Sequence, residues 1–115
     1  MSANTVLILE DETMIAETLR QDLEGLGLRV LGPAHNCSAA LELLWSQRPD
    51  LAVLDTQLGT ETCEVVLDEC RQQGIPVVIF SGHGSTELPA YARGLSTLSK
   101  PYLPEHLSQM IAAYD

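Results

Sequence analysis

The sequence predicts an α/β protein in which five strands alternate with five helices and form a parallel sheet covered on both faces. Short apolar runs recur along the chain, and longer stretches with helical spacing of apolar residues separate them. Runs such as TVLILE and PVVIF are too uniformly apolar for a sheet with one face in water. Right-handed crossovers should connect the strands, and 115 residues fit one domain, 1–115.

The first two strands flank an amphipathic helix. Thr5–Glu10 is predicted to be a fully buried strand, and Thr13–Leu26 a helix that glycines 25 and 27 end. Leu28–Leu31 is the second strand, which Gly32–Pro33 closes. The apolar residues of the helix recur at helical spacing: Ile15, Leu19, Leu23 and Leu26.

The second helix has two candidate caps. Asn36 or Ser38 can accept a hydrogen bond from its first amides, and the helix should stop before Pro49. Its apolar residues are Ala40, Leu41, Leu44 and Trp45, and Trp45 is predicted to cover the core at the helix end. The third strand, Leu51–Leu54, ends at Asp55.

The second half of the chain continues the alternation. The third helix spans about Glu61–Gln73, and the fourth strand is Pro76–Phe80. After a glycine-containing loop, Ser85–Arg93 contains Pro89, which predicts a short or irregular fourth helix. The last two elements are a strand over Leu95–Ser99 and a helix over Pro104–Tyr114.

Charge and cysteine content restrict the partners and the compartment. Six basic and 16 acidic residues give a formal net charge of −10, which disfavours direct binding to nucleic acid or to an anionic membrane. No apolar stretch is long enough for a signal peptide or a membrane span. Cys37, Cys63 and Cys70 match no metal-site spacing and predict a reducing, cytoplasmic environment. His35 and His106 are predicted to be surface residues.

Polar residues follow four of the predicted strands. Glu10-Asp11-Glu12 follows the first strand, Asp55 the third, Ser81 the fourth and Lys100 the fifth. In a parallel sheet these side chains should converge at the carboxyl edge. Clustered carboxylates favour a hard cation such as Mg²⁺ or Mn²⁺, and an aspartate can be the nucleophile toward a phosphoryl group. A metal, a lysine and a hydroxyl can neutralise and position the phosphoryl oxygens.

Glu10-Asp11, Asp55, Ser81 and Lys100-Pro101, on this strand pattern, resemble the response regulator receiver domain of two-component systems. The resemblance covers nearly the whole chain and implies a flavodoxin-like sheet with strand order 2-1-3-4-5. It also implies that Asp55 accepts a phosphoryl group from a histidine kinase or a histidine phosphotransfer protein, with Ser81 and Lys100 each contacting a phosphoryl oxygen.

The same resemblance implies a metal site and several modulating residues. Asp11, Asp55 and the backbone carbonyl of Gln57 would bind Mg²⁺, and Glu10 would act through water. Lys100-Pro101 would hold a cis peptide bond, and Gly82 would leave the site open. The side chains of Gln57 and His83 occupy positions that influence how fast the phosphate is lost.

One position departs from the family pattern. Receivers commonly carry Tyr, Phe or His three residues before the lysine, where this chain has Thr97. A switch based on an inward-swinging aromatic ring therefore cannot operate in that form, and we expect the Ser81–Arg93 segment to become ordered instead. Phe80-Ser81-Gly82 also resembles, in part, the Phe-x-Thr-Gly-x-Tyr motif of a stand-alone receiver subgroup, with Ser81 in place of Thr and neither the Phe nor the Tyr at the motif's positions.

Three other functions would fit parts of this pattern. A flavin mononucleotide binder would place a phosphate-cradling loop where the acids of residues 10–12 stand, and a haloacid-dehalogenase-type phosphatase would want a second acid where Gln57 stands. A degenerate receiver that acts only as a protein-interaction module remains the alternative. We expect a phosphorylated signalling switch rather than an enzyme. With no output domain after Asp115, it would bind a downstream protein, shuttle phosphate or drain it from a kinase.

Overall fold

The computed structural model describes residues 4–82 and 88–114. Its helices and strands are, in chain order, β1 (Thr5–Leu9), α1 (Thr13–Gly25), β2 (Arg29–Ala34), α2 (Cys37–Ser46), β3 (Leu51–Asp55), β4 (Gln57–Leu58), β5 (Glu61–Thr62), α3 (Glu64–Gln73), β6 (Val77–Ser81), β7 (Ser96–Ser99) and α4 (Pro104–Ala112).

The main sheet has the predicted topology. Its five strands are all parallel and lie in the order β2-β1-β3-β6-β7. Since β6 and β7 are the predicted fourth and fifth strands, this confirms the order 2-1-3-4-5 of a flavodoxin-like fold. The strands β4 and β5 form a separate antiparallel hairpin between β3 and α3.

Both faces of the sheet are covered, as the apolar runs predict. Every residue of β1, β3 and β6 is buried. Alternate side chains point to opposite faces, so that Leu7 and Leu54 pack with α2 and α3, whereas Val6 and Val53 pack with α1 and α4. The three cysteine thiols are free and buried, and burial is the main cause that raises their pKa to about 11 or 12.

The second strand is longer than predicted. It runs from Arg29 to Ala34 and passes through Gly32–Pro33, whose peptide bond is cis. An edge strand tolerates proline, because one side of its backbone has no neighbouring strand with which to form hydrogen bonds, so the missing N–H of proline costs no bond there. Gly32 has φ +97°, and a Cβ there would lie 2.6 Å from the Ala34 amide nitrogen, so this kink requires glycine. Gly-Pro therefore bends the strand instead of ending it.

The second helix begins as one of the two candidate caps predicts. The Asn36 side chain accepts a hydrogen bond of 2.8 Å from the Ala39 amide, which makes Asn36 the N-cap. Cys37, Ala40 and Leu44 form the buried face of the helix. The prediction for Trp45 is wrong: it lies one position past Leu44, about 100° further round the helix, and is 66% exposed.

The remaining helices differ from the prediction mainly at their ends. In α1 the buried residues are Ala16, Leu19 and Leu23, whereas Leu26 lies beyond the helix and is exposed. The third helix starts at Glu64 instead of Glu61, because Glu61 and Thr62 pair with Gln57 and Leu58 across a turn in which Gly59 has φ +69°.

The predicted fourth helix is irregular, as Pro89 suggests. Its described part contains a single 3₁₀ turn, Ala90–Ala92, and residues 83–87 lie outside the described chain. Within the described ranges, no helix is both long enough and apolar enough to cross a membrane.

Candidate functional site

The carboxyl ends of four parallel strands bring the predicted polar residues together. Asp55 ends β3, Ser81 ends β6, and Glu10 and Lys100 directly follow β1 and β7. The backbone amide of Lys100 donates to the Ser81 carbonyl at 3.0 Å, which fixes the level of Lys100 beside the end of β6. Parallel pairing thus places residues far apart in sequence at one edge of the sheet.

An open cavity of about 570 Å³, which we call the acidic cleft, lies over this edge. The residues that line it are Asp11, Glu12, Asp55, Thr56, Gln57, Gly59, Thr62, Ser81, Gly82, Pro89, Tyr91 and Lys100.

Lys100 joins the two buried carboxylates of the site. Its Nζ lies 2.9 Å from Asp55 Oδ2 and also pairs with the Glu10 carboxylate. The same atom lies 4.8 Å from the centre of the Phe80 ring, within the range of a cation–π contact. Burial opposes the charge on Lys100, but hydrogen bonds to Glu10 and Asp55 outweigh it and raise the Lys100 pKa.

Glu10 is a fully buried carboxylate beneath the cleft. Its Oε2 accepts a hydrogen bond of 3.0 Å from the Glu12 amide. Burial raises the pKa of Glu10 to about 7, although Lys100 and the Glu12 amide act in the opposite direction, and the nearby Asp55 charge adds to the rise. Glu10 therefore contacts Lys100 and the backbone directly.

Asp55 is almost fully buried, and both of its oxygens have partners. Oδ2 accepts from Lys100, and Oδ1 accepts from the Gln57 amide at 3.1 Å. These contacts fix the orientation of a carboxylate that also lines the acidic cleft. An oriented carboxylate beside a lysine is suited to nucleophilic attack on an electrophile that enters the cleft.

The donor set around Asp55 fits a hard divalent cation. Glu10, Asp11 and Asp55 each offer a carboxylate oxygen, and these oxygens all lie within 4.8 Å of one another. Asp11 is exposed at the cleft, whereas Glu10 and Asp55 are buried. Carboxylate oxygens suit Mg²⁺ or Mn²⁺, and a cation would relieve the repulsion between them. Gln57 lines the same cleft.

The other predicted site residues fall into four groups. Ser81 and Gly82 line the acidic cleft, and a Cβ on Gly82 would approach only the Lys100 carbonyl, at 4.0 Å. The Lys100–Pro101 peptide bond is cis, as the resemblance implies. Thr97 is exposed on β7 and lines a different cavity, against α4. His83 lies outside the described residues.

Sequence reasoning missed several residues around the cleft. Thr62 lines it from the β4–β5 hairpin, which the sequence patterns did not predict, and Tyr91 lines it from the 3₁₀ turn within the predicted short or irregular helix. His35 follows the true end of β2, and its Nδ1 lies 2.8 Å from the Glu10 carbonyl oxygen. The other site residues were predicted because each is a polar residue that directly follows a strand. If the second strand had been predicted to end at Ala34, the same rule would have indicated His35.

Comparisons with known proteins agree with the fold. A family model for the response regulator receiver domain matches residues 6–112. The chain is 31% identical over 119 residues to the phyllosphere-induced regulator PhyR of Methylorubrum extorquens, a match that covers 96% of this chain and 43% of that protein. The chain spans about half the length of the curated relatives it matches first.

Two solved structures show the same fold over nearly the whole chain. SdrG from Sphingomonas melonis is 29% identical with a TM-score of 0.86, and the match covers 99% of this chain and 98% of SdrG. The anti-anti-sigma factor PhyR from Bartonella quintana is 27% identical with a TM-score of 0.85, and the match covers 99% of this chain and 48% of that protein.

Proposed function

The chain belongs to the response regulator receiver domain family, and we propose that it takes a phosphoryl group onto Asp55 in a Mg²⁺-dependent reaction. The observation that carries this proposal is the position of Lys100 Nζ, 2.9 Å from Asp55 Oδ2, beside three carboxylates that could hold a cation. Family membership supports the role of a signalling switch in a two-component system, and phosphorylation of this aspartate would be its input.

The chemistry proposed for Asp55 is a phosphoryl transfer that forms an acyl phosphate on its carboxylate. One Asp55 oxygen would attack the phosphorus of a phosphohistidine on a histidine kinase or phosphotransfer protein. The P–O bond forms as the P–N bond breaks, and the imidazole nitrogen keeps the electron pair and takes up a proton. The orientation of Asp55 by the Gln57 amide supports this role, because in-line transfer depends on positioning.

Charge neutralisation would come from the residues around the cleft. Lys100 can pair with one phosphoryl oxygen, and the Ser81 hydroxyl, at the end of the neighbouring strand, can donate to another. Glu10, Asp11, Asp55 and the Gln57 carbonyl would hold Mg²⁺ or Mn²⁺, which supplies further neutralisation of the phosphoryl oxygens when bound. The buried Glu10 would also keep Lys100 protonated and in place.

The output proposed for this switch is contact with another protein. A match to a relative described as an anti-anti-sigma factor supports a protein partner, while a phosphate shuttle or sink would use the same Asp55 chemistry. Transmission through the Ser81–Arg93 segment stays a prediction, because residues 83–87 lie outside the described chain. A cytoplasmic location is part of the same proposal.

A degenerate receiver that only binds proteins is the second candidate. The loss of the family aromatic at Thr97 favours it, since Thr97 is exposed and does not line the acidic cleft. The intact constellation of Asp55, Lys100 and the neighbouring carboxylates argues against it.

Intact mass spectrometry after incubation with acetyl phosphate or phosphoramidate separates these two candidates. We expect one phosphoryl adduct with Mg²⁺ present and none in its absence. Asp55→Asn should abolish the adduct, whereas Asp68→Asn, an exposed aspartate on α3, should leave it unchanged. A protein that takes up no phosphoryl group from either donor with Mg²⁺ or Mn²⁺ would refute phosphoacceptor function and favour the binding module.

A further inference from the structure

We propose that His35 is a positioning residue for the cation site, through a hydrogen bond that fixes the backbone in front of Asp11. The inference rests on the function proposed above and adds the residue that directly follows β2, the edge strand that supplies none of the acids. His35 Nδ1 lies 2.8 Å from the Glu10 carbonyl oxygen. A carbonyl oxygen only accepts, so Nδ1 carries the proton that is donated.

The end of β2 holds the Glu10 peptide groups from two sides. The Glu10 amide donates to the Ala34 carbonyl at 3.0 Å, and His35, the next residue, binds the Glu10 carbonyl. The first contact orients the peptide group between Leu9 and Glu10, and the His35 contact orients the next one, which joins Glu10 to Asp11. The direction in which the exposed Asp11 carboxylate leaves the backbone depends on the plane of this second peptide group.

Within the described chain, the turn that carries Asp11 has few other restraints. Glu12 is the N-cap of α1 and makes no side-chain capping bond there. The Glu12 amide instead donates to the Glu10 carboxylate, which Lys100 also contacts. Lys100 therefore restrains the Glu10 side chain, and His35 restrains its backbone. Asp11 itself is exposed, so its preorganisation for a cation depends on the turn beneath it.

The alternative is that His35 is an ordinary surface histidine. The ring is exposed, and a single hydrogen bond at an exposed site contributes little to folding. The two readings differ in what a substitution should change. Substitution of an ordinary surface residue would alter neither stability nor cation binding. Substitution of a positioning residue would weaken cation binding while the fold stays intact.

Manganese binding, measured by electron paramagnetic resonance on the whole chain, tests the proposal. His35→Leu removes the donor, and we expect it to weaken Mn²⁺ binding by about 3- to 10-fold, the effect expected for the loss of one hydrogen bond. His35→Asn places an amide donor near the position of Nδ1 and should bind within about 2-fold of the wild type. His106→Leu, an exposed histidine on α4, is the matched control and should have no effect.

Two further readouts separate positioning from a general structural role. The urea midpoint of His35→Leu should equal that of His106→Leu, and excess Mg²⁺ should restore its phosphorylation rate with acetyl phosphate. Equal Mn²⁺ affinity in His35→Leu and the wild type would overturn the proposal, as would a loss that His35→Asn does not rescue.

The failure of this inference can be told apart from failure of the proposed function. If the wild type binds no Mn²⁺, the metal-dependent function fails, and the metal-free amide spectrum still decides the role of His35. Shifted Glu10 and Asp11 signals in His35→Leu, restored in His35→Asn, would support positioning of the turn. Unchanged signals would overturn it.

Discussion

Lys100→Met is expected to destabilise the protein, because it removes the cation that pairs with two buried carboxylates. Lys100 Nζ lies 2.9 Å from Asp55 Oδ2 and pairs with Glu10, and its own side chain is 16% exposed. At an effective dielectric constant of about 20, one such contact carries roughly 6 kcal/mol of gross Coulomb attraction. Dehydration of the ammonium group offsets much of this. We expect a net loss of about 2–4 kcal/mol at pH 8, since removing one partner of a buried pair leaves a charge uncompensated.

Urea unfolding at pH 8 measures this loss. With a slope of about 2 kcal/mol per molar urea, the midpoint should fall by about 1–2 M. Arg29→Met, which removes an exposed cation on β2, should change the free energy of unfolding by less than about 0.5 kcal/mol. Adding Glu10→Gln to Lys100→Met should recover part of the loss, because one of the uncompensated carboxylates becomes neutral. A Lys100→Met protein as stable as the Arg29→Met control would refute this account of the site.

Three other predictions concern the fold and the electrostatics, and urea or thermal unfolding tests each of them. Asn36→Ala should lower the free energy of unfolding by about 1 kcal/mol, because the Asn36 side chain caps α2 through a hydrogen bond of 2.8 Å. Ser38→Ala should have less effect, and equal losses in the two variants would contradict the assignment of Asn36 as the cap. Leu44→Ala should lower the free energy of unfolding by about 2–5 kcal/mol, because Leu44 is buried. Trp45→Ser should lower it by less than about 1 kcal/mol, because Trp45 is exposed. A larger loss in Trp45→Ser than in Leu44→Ala would contradict the packing of α2. Folding raises the Glu10 pKa from 4.5 to about 7, so the folded state binds more protons in this window and Glu10 makes the protein less stable as pH rises through it. Glu10→Gln removes this component, and a stability difference between wild type and variant that is independent of pH would contradict it.

The sheet could be predicted from sequence because buried parallel strands are continuous apolar runs. The apolar residues of TVLILE and PVVIF are continuous and do not alternate with polar ones, so each run indicates a strand covered on both faces. The site followed from the same rule: the residue after each run lies at the carboxyl edge, which located Glu10, Asp55, Ser81 and Lys100. The proposed phosphoryl transfer rests on the combination of these residues, because none of them alone indicates that chemistry.

The errors have local physical causes. Gly32–Pro33 looks like a turn, but at the edge of a sheet a glycine with positive φ and a proline continue the strand with a bend, and His35 was missed for this reason. Trp45 was predicted to cover the core at the end of the second helix, but helix geometry turns it away from the buried Leu44. The β4–β5 hairpin has only two residues in each strand, too few for an alternating pattern to be seen.

Chemical localisation of the phosphoryl group tests the central claim most directly. Borohydride reduces an aspartyl phosphate to an alcohol, so the residue that carried the phosphoryl group becomes homoserine and can be identified by peptide mass spectrometry. In protein treated with acetyl phosphate and Mg²⁺, we expect conversion at Asp55 alone. Conversion at another acid, such as Asp11, or no conversion in protein that has gained a phosphoryl group, would contradict the assignment of Asp55 as the phosphoacceptor.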